Sequence, residues 1–427
     1  MNDILTNDAD AVLGGLSIVD CDAHFSEPPD LWTSRAPDSM RARMPVMRTL
    51  DDGVTAWYVE DQVFASTGGN TIRTSPDGPQ KVLGTQMIQP WDEVDPVTYD
   101  PRSRLALLDE VGVYAQILFP NAMGFTGNSV MGIEDSGLRD LVQAIYNDFL
   151  VDIQLESGGR LLPQAVLPIW DMDLTVKEMT RLRERGITGF TITDKPQLVG
   201  MPDLDSPYFA PMWALGNEMG AVFNFHIGSG IGRAAQSRGP ESEDPAQIEA
   251  RRRGSATAFP NPDIYWESFG PQRRLAILAT QFYMSNARVI VNFCMSDMFD
   301  RYPNIKINSA ESGVGWIPFI LEAMEYQLDE MVTDPAEVTR AQKRPTEYFH
   351  DHFLVSFWFE KIGPTKTLED IGIHNVVVET DIPHPTCTYP QSRKMIADVV
   401  AKLDPYARRR VLQDNAAEAY GIAVPPG

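Results

Sequence analysis

Short apolar runs alternate with helical patterns along most of the chain. Runs rich in Val, Ile and Phe indicate buried strands, whereas apolar residues spaced three or four apart indicate helices. The eight predicted strands span residues 17–24, 114–120, 160–170, 187–193, 221–230, 305–313, 353–360 and 375–385. Because a helical stretch follows each run, the pattern predicts an α/β fold, a (β/α)8 TIM barrel. An open doubly wound sheet is the alternative, but the count of eight and the polar residues at strand ends favour the barrel.

Two segments depart from the barrel pattern. Residues 33–100 contain polar loops, many Pro and Gly, and a hairpin pattern in "TAWYVEDQVFAS", and residues 231–271 form a second polar segment. We interpret them as long insertions after strand 1 and strand 5. Both leave from the strand ends where barrel active sites form. Residues 1–16 are predicted to be a flexible tail, which leaves 17–427 as a single domain.

The composition limits the partners of the protein. The 36 Lys and Arg against 59 Asp and Glu give a net charge of −23, which disfavours nucleic acid and anionic membranes as partners. The three cysteines (Cys21, Cys294 and Cys387) are far apart, so neither a disulfide framework nor a cysteine zinc site is expected. The acidic first sixteen residues do not resemble a signal peptide, and no apolar run reaches about 18 residues. We therefore expect a cytoplasmic protein that acts on a small molecule.

Carboxylates and imidazoles gather at the predicted C-terminal ends of the strands. They are Asp22 and His24 on strand 1, His226 on strand 5, Glu311 after strand 6, and Asp381 and His384 after strand 8. A spacing of two residues places the strand 1 pair on one face. Because active sites of barrels form at this end, the set predicts a divalent metal site.

The other polar residues near these strands have structural interpretations. Asp20 shares the face of the strand 1 pair but lies deeper, where a structural hydrogen bond is expected. His350 and His352 precede strand 7, at the opposite end of the barrel, and His374 lies just before strand 8. We expect these three histidines to be structural.

Several motifs, taken in order, resemble one family. The strand "DCDAH", the segments "NFHIGSG", "YPNIKINSAESGVGWIPFILEAME" and "VVVETDIPHP", and the closing helix "ARRRVLQDNAAEAYGI" resemble the amidohydrolase superfamily. The most similar branch is amidohydrolase-2, which contains aminocarboxymuconate-semialdehyde decarboxylase and the resorcylate-type decarboxylases. The resemblance covers roughly residues 17–24 and 102–422.

The resemblance implies a metal site on residues already singled out. The family's metal ligands fall on Asp22, His24, His226 and Asp381. In the family, the aspartate at the position of Asp381 can also take a proton from the bound water. Glu311 is a departure, because the decarboxylases carry a catalytic histidine there. With Glu311 the site has three carboxylates and two histidines, enough for one or two divalent ions such as Fe, Zn or Mn. Lys195 is expected to be a surface lysine; in other branches a carboxylated lysine bridges two metals.

Metal-assisted hydrolysis is the first functional hypothesis. A metal lowers the pKa of bound water to about 7, Asp381 would act as general base, and His384 would help to hold the developing oxyanion. The substrate would be a thioester, ester or amide. Nonoxidative decarboxylation of an aromatic or enoic acid, with Asp381 protonating carbon, is the alternative. A catalytically inactive scaffold is the third hypothesis.

Two further features bear on the substrate. The run Arg251, Arg252 and Arg253 is either a solvated face or a phosphate clamp, and a clamp would suit an acyl-CoA. Five aromatic residues of the insertions either line an apolar pocket or pack ordinarily: Trp57, Tyr58, Phe259, Tyr265 and Trp266. By analogy with relatives we expect a homodimer.

Overall fold

A parallel sheet forms the centre of the molecule. The computed structural model describes residues 9–425 apart from 51–52, 54, 86–87, 89, 229–265 and 267. The barrel strands are β1 (Ile18–Phe25), β2 (Val113–Pro120), β3 (Leu161–Pro163 with Ala165–Val166), β4 (Gly189–Thr191), β5 (Val222–His226), β6 (Lys306–Ala310), β7 (Phe353–Phe357) and β8 (Val376–Val378). Each overlaps one predicted strand.

The sheet closes on itself through the two halves of β3. Leu161–Pro163 pairs with β2, whereas Ala165–Val166 pairs with β4, and only Gln164 separates the halves. The Gln164 amide nitrogen donates to the Leu118 carbonyl at 2.8 Å. Since the two edges of the nine-stranded sheet belong to one chain segment, the strands form the closed barrel that the sequence predicted.

Helices follow the strands as the periodicity indicated. The helix before β2 shows why, because Asp100 caps its start by accepting from the Ser103 amide, Pro101 opens it, and Gly112 ends it at a φ of 73°. Residues 9–13 are helical. The α-helices that follow in the described chain are Leu31–Arg35, Pro101–Val111, Ser136–Glu156, Met172–Arg183, Ala210–Met219, Pro271–Phe282, Ala287–Cys294, Met298–Arg301, Ile317–Met331, Pro335–Val338, Pro345–His352, Gly363–Lys366, Leu368–Ile371, Ser392–Val400, Pro405–Arg409 and Asn415–Tyr420. No helix in this part of the chain is long and apolar enough to cross a membrane.

The first insertion is a small β structure that packs on the barrel. It contains a sheet of three antiparallel strands, Val46–Thr49, Thr55–Val59 and Gln62–Ser66, of which the last two form the predicted hairpin. A further antiparallel pair is formed by Ile72–Arg73 and Gln80–Lys81. Trp57 is fully buried, with its ring 4.9 Å from that of Trp32. Trp57 therefore packs in the core, and the loop after the hairpin, residues 67–71, reaches the mouth of the barrel.

The structure describes the predicted tail and the second insertion only in part. Within the predicted tail, Ala9 and Leu13 are buried in the main hydrophobic core, so residues 9–13 pack against the barrel. The second insertion lies mostly outside the described residues, together with Arg251, Arg252, Arg253, Phe259 and Tyr265. Trp266 is described and is 74% exposed.

Candidate metal centre

Three of the predicted ligands meet inside the barrel mouth. Asp22 and His24 project from β1 and His226 ends β5, and all three are completely buried. The Nε2 atoms of His24 and His226 are 3.1 Å apart. The carboxylate of Asp22 lies 3.3 Å from His226 Nε2 and 3.6 Å from His24 Nε2. These donor atoms are close enough to share one cation.

Two further carboxylates complete the cluster. Asp381 Oδ1 is 3.7 Å from His24 Nε2, and Glu311 Oε2 is 3.4 Å from His226 Nε2. Thr386 lies between them, because its hydroxyl contacts both Asp381 Oδ2 and Glu311 Oε1, the latter at 3.1 Å. The structure thus brings together all five predicted ligands.

The backbone is strained where two of these carboxylates leave it. Glu311 has a φ of 52° and Asp381 a φ of 58°, in the left-handed region that non-glycine residues rarely adopt. Such conformations cost about 1–3 kcal/mol each and concentrate at functional sites. The Asp381 amide donates to the Asp22 carbonyl at 2.8 Å and the Glu311 amide to Glu379 Oε2 at 3.2 Å. These bonds hold the strained turns in place.

Backbone carbonyls determine the tautomers of the two buried imidazoles. His24 Nδ1 faces the Pro120 carbonyl at 3.3 Å, and His226 Nδ1 faces the Ile227 carbonyl at 2.8 Å. Since a carbonyl only accepts, each Nδ1 carries the hydrogen, and each Nε2 presents a lone pair. Burial lowers the pKa of His226 to about 4 and that of His24 well below its usual value. Two lone pairs therefore face each other, an arrangement that a metal cation stabilises.

The carboxylates also lack the partners that buried charges require. Burial, followed by the neighbouring Asp381, raises the pKa of both Asp22 and Glu311 well above the usual range. Within the described residues, no hydrogen bond reaches either carboxylate oxygen of Asp22 or Oδ1 of Asp381. Uncompensated buried charge is costly, and a divalent ion would compensate it. These oxygen and nitrogen donors fit ions such as Mn, Fe or Zn.

His384 lies beside this cluster. Its Nδ1 is 3.2 Å from Asp381 Oδ1, and its ring stacks on that of His24 with centroids 3.5 Å apart. Phe125 forms an adjacent wall, with its ring centroid 4.9 Å from that of His24 and 4.3 Å from that of His226. The site is therefore aromatic as well as acidic.

The structure agrees with the structural interpretation of Asp20. Asp20 is completely buried and accepts from the Gln116 side chain at 2.7 Å and from the amides of Asp22 and Thr380. Burial outweighs these bonds and raises the pKa of Asp20 to about 6. Because its oxygens are satisfied, Asp20 does not face the metal centre as a free ligand.

The remaining histidines and Lys195 lie apart from the cluster. His352 makes structural contacts: its Nδ1 lies 3.0 Å from the Ile305 carbonyl, and its ring stacks on that of Phe299 with the centroids 3.9 Å apart. His374 Nε2 is 3.3 Å from the Tyr406 hydroxyl. His350 packs against Gly372 at the same end of the barrel. Among the described contacts, no hydrogen bond or ion pair joins the Lys195 side chain to the metal centre.

Four residues of the site were not predicted: Glu379, Thr386, Asn121 and Phe125. Glu379 is completely buried, and burial and Asp22 raise its pKa well above the usual range. The sequence did contain one signal, because Glu379 and Thr386 flank Asp381 within the short segment "ETDIPHPT". The positions of Asn121 and Phe125 depend on a loop after β2 whose course the sequence pattern does not specify.

The family model described as amidohydrolase matches residues 19–422. The chain belongs to this amidohydrolase family. The resemblance seen in the sequence motifs is thereby confirmed. No curated protein matches the chain.

Solved structures with the same fold include both amidohydrolases and decarboxylases. An amidohydrolase from Mycobacterium avium subsp. paratuberculosis K-10 is 18% identical, with 96% of this chain and 99% of that chain covered, at a TM-score of 0.64. The 2,6-dihydroxybenzoate decarboxylase from Rhizobium is 17% identical; the match covers 95% of this chain and 99% of that chain, at a TM-score of 0.55. A dihydroxybenzoic acid decarboxylase from Polaromonas sp. JS666, solved with bound manganese and 2-nitroresorcinol, is 18% identical. That match covers 95% of this chain and 97% of that chain, at a TM-score of 0.55. At these identities the likeness establishes the fold alone.

Proposed function

We propose that this amidohydrolase-family protein catalyses the metal-dependent nonoxidative decarboxylation of a hydroxylated aromatic carboxylic acid. The observation that carries the proposal is a buried cluster of cation ligands with aromatic walls. Phe125 and Phe119 place their rings 4.3 Å and 5.1 Å from the His226 ring. The decarboxylases that share the fold, one of them with bound manganese, support this choice over hydrolysis.

The roles of the residues follow from their positions. Asp22, His24 and His226 would hold the divalent ion, which when bound supplies a Lewis acid that polarises substrate oxygens. Asp381, which was also predicted as a ligand, would instead carry the proton at Oδ1, since Oδ2 is occupied by the Thr386 hydroxyl. In the reaction the bond from the ring carbon to the carboxylate breaks, CO2 leaves, and the ring carbon takes the proton from Asp381.

Glu311 would assist as a neutral acid. An ionised carboxylate at this position would repel the carboxylate of the substrate. Burial and the neighbouring Asp381 and Asp22 favour its protonated form. The Thr386 hydroxyl lies 3.1 Å from Oε1, whereas Oε2 faces His226 in the centre, so a proton on Oε2 would be placed to donate to the substrate. Glu311 would thus replace the histidine of related decarboxylases.

Hydrolysis is the second candidate, favoured by the charge of the site. Asp22, Glu311, Glu379 and Asp381 place four carboxylates around the centre, which suits a neutral substrate better than an anionic one. Asp381 would then act as general base on water that attacks a thioester, ester or amide. An acyl-CoA belongs to this candidate through Arg251, Arg252 and Arg253, which lie outside the described residues.

A substrate panel distinguishes the two reactions. The Mn²⁺-loaded protein is incubated with 2,6-dihydroxybenzoate, 5-carboxyvanillate, a series of acyl thioesters and simple esters. Release of CO2 from the hydroxylated acids, absent in Asp381→Asn, supports decarboxylation. Thiol or alcohol release without CO2 would refute it and support hydrolysis.

A cytoplasmic location and a homodimer stay predictions, and light scattering of the purified chain tests the dimer.

A further inference from the structure

A chain of hydrogen bonds runs from the first insertion to His384. Asn70 Nδ2 donates to the Thr67 carbonyl at 2.8 Å, and the Ser26 hydroxyl donates to Asn70 Oδ1 at 2.7 Å. Asn121 Nδ2 donates to Ser26 Oγ at 2.8 Å, and Asn121 Oδ1 lies 2.8 Å from His384 Nε2. All four side chains are buried. We call Asn70, Ser26 and Asn121 the relay.

The relay has only one consistent direction. The Thr67 carbonyl can only accept, so the NH2 group of Asn70 faces it and Oδ1 faces Ser26. Because Asn70 Oδ1 cannot donate, the Ser26 hydroxyl donates its one hydrogen to Asn70 and accepts from Asn121. The amide of Asn121 is thereby oriented with Oδ1 toward His384. Because that oxygen accepts, Nε2 of His384 must carry a hydrogen.

The loop that anchors the relay packs directly against Asn121 and His384. A Cβ atom at Gly69 would lie 2.5 Å from His384 Cδ2, and one at Gly68 would lie 2.7 Å from Asn121 Cβ. Gly68 also has a φ of 88°, a conformation that favours glycine. The Thr71 hydroxyl donates to the Pro383 carbonyl at 2.7 Å. Loop and ring are therefore held in direct contact.

We propose that Ser26, Asn70 and Asn121 are positioning residues that hold His384 as its Nε2–H tautomer, with the Nδ1 lone pair toward Asp381. The insertion after β1 thus sets the tautomer of a histidine that follows β8, the strand paired with β1 in the barrel. In this tautomer Nδ1 can accept a hydrogen bond but cannot donate one to an oxyanion, unlike the role expected from the sequence. The assignment of His384 to the reaction rests on the proposed function, whereas its tautomer does not.

NMR of the imidazole nitrogens tests the proposal without any substrate. The protein, loaded with diamagnetic Zn²⁺, is labelled with ¹⁵N-histidine, and His384 is assigned among the six histidines by loss of its signals in His384→Gln. The wild-type protein is expected to show Nε2–H. Asn121→Ala should shift His384 toward Nδ1–H, and Asn121→Asp, which keeps an acceptor, should restore Nε2–H. Nδ1–H in the wild type, or an unchanged tautomer in Asn121→Ala, would overturn the proposal.

A structural control and kinetics separate positioning from general destabilisation. Asn415 is buried and donates to the carbonyls of Ile373 and Val376, so Asn415→Ala should destabilise the fold and leave the His384 tautomer unchanged; a shifted tautomer there would overturn the proposal. With a substrate from the panel, Asn121→Ala should lower kcat about 10-fold or more at nearly constant KM. If the tautomers are as expected but no CO2 is released from any acid of the panel, only the proposed function is refuted.

Discussion

Asp22→Asn should stabilise the metal-free protein and reduce the stabilisation that a metal gives. Asp22 is completely buried, and neither carboxylate oxygen has a hydrogen bond within the described chain. Without a metal, the amide removes this uncompensated carboxylate and can donate to His226 Nε2, 3.3 Å from Asp22 Oδ2. With a metal, the same substitution removes an anionic ligand. The variant should therefore be more stable than wild type when metal-free and should gain less on metal binding.

The size of both effects can be worked out from the structure. A buried polar group without partners costs about 1–3 kcal/mol, and a charged group costs more, so the metal-free variant should gain at least about 1 kcal/mol. At about 2.1 cal/mol/K per residue, the 427 residues have an unfolding entropy of about 0.9 kcal/mol/K. The gain is then a rise in Tm of about 1 °C or more. Metal at 100-fold its Kd should raise the Tm of wild type by about 3 °C.

Differential scanning calorimetry, with EDTA and then with excess Mn²⁺, measures both effects. Asp20→Asn is the matched control, because Asp20 lies on the same strand and is equally buried, but its oxygens accept from Gln116 and Thr380. Its amide would face donors, so this variant should lose about 1–3 kcal/mol under both conditions. If metal-free Asp22→Asn is less stable than wild type, or if the variant keeps the full Mn²⁺ stabilisation, Asp22 is not an uncompensated carboxylate that binds the metal.

Three other perturbations test the account. Thr386→Val removes the hydroxyl shared by Asp381 and Glu311 and should lower kcat for CO2 release about 10-fold or more, and an unchanged kcat would argue against the proton position. Phe125→Ala should raise KM for an aromatic acid with little change for an aliphatic ester, as initial rates will show. Burial raises the pKa of Glu27 from 4.5 to about 7. The protonated Glu27 side chain therefore contributes stability that is present below pH 4.5 and is lost as the pH rises through 7. In urea titrations, the free energy of unfolding of wild type relative to that of Glu27→Gln should fall between about pH 5 and pH 8.

The barrel was predictable because each element carries local signals. The β1 run places Asp22 and His24 on one face by strand periodicity alone. Apolar strands followed by amphipathic helices specify the barrel, and capping residues such as Asp100 and Gly112 mark helix ends. The metal ligands were predictable for the same reason, since parallel strands bring their C-terminal ends to one edge.

The residues that complete the site depend on contacts distant in sequence. The His384–Asn121 hydrogen bond spans 263 positions and the Thr71–Pro383 bond 312, and no local pattern specifies such pairs. The split of β3 at Gln164 likewise follows from closure of the sheet and not from its sequence. The order of the functional hypotheses also changed: the sequence favoured hydrolysis, whereas we propose decarboxylation first because the site has aromatic walls.

Equilibrium dialysis against Mn²⁺ measures whether the chain holds a buried divalent-metal centre. The wild-type protein, stripped with EDTA and shown by circular dichroism to be folded, should retain at least one Mn²⁺ per chain. The double variant Asp22→Ala/His226→Ala should retain essentially none while keeping its barrel. A folded wild-type chain that binds no Mn²⁺, Fe²⁺ or Zn²⁺, or a double variant that binds as much as wild type, would contradict the account.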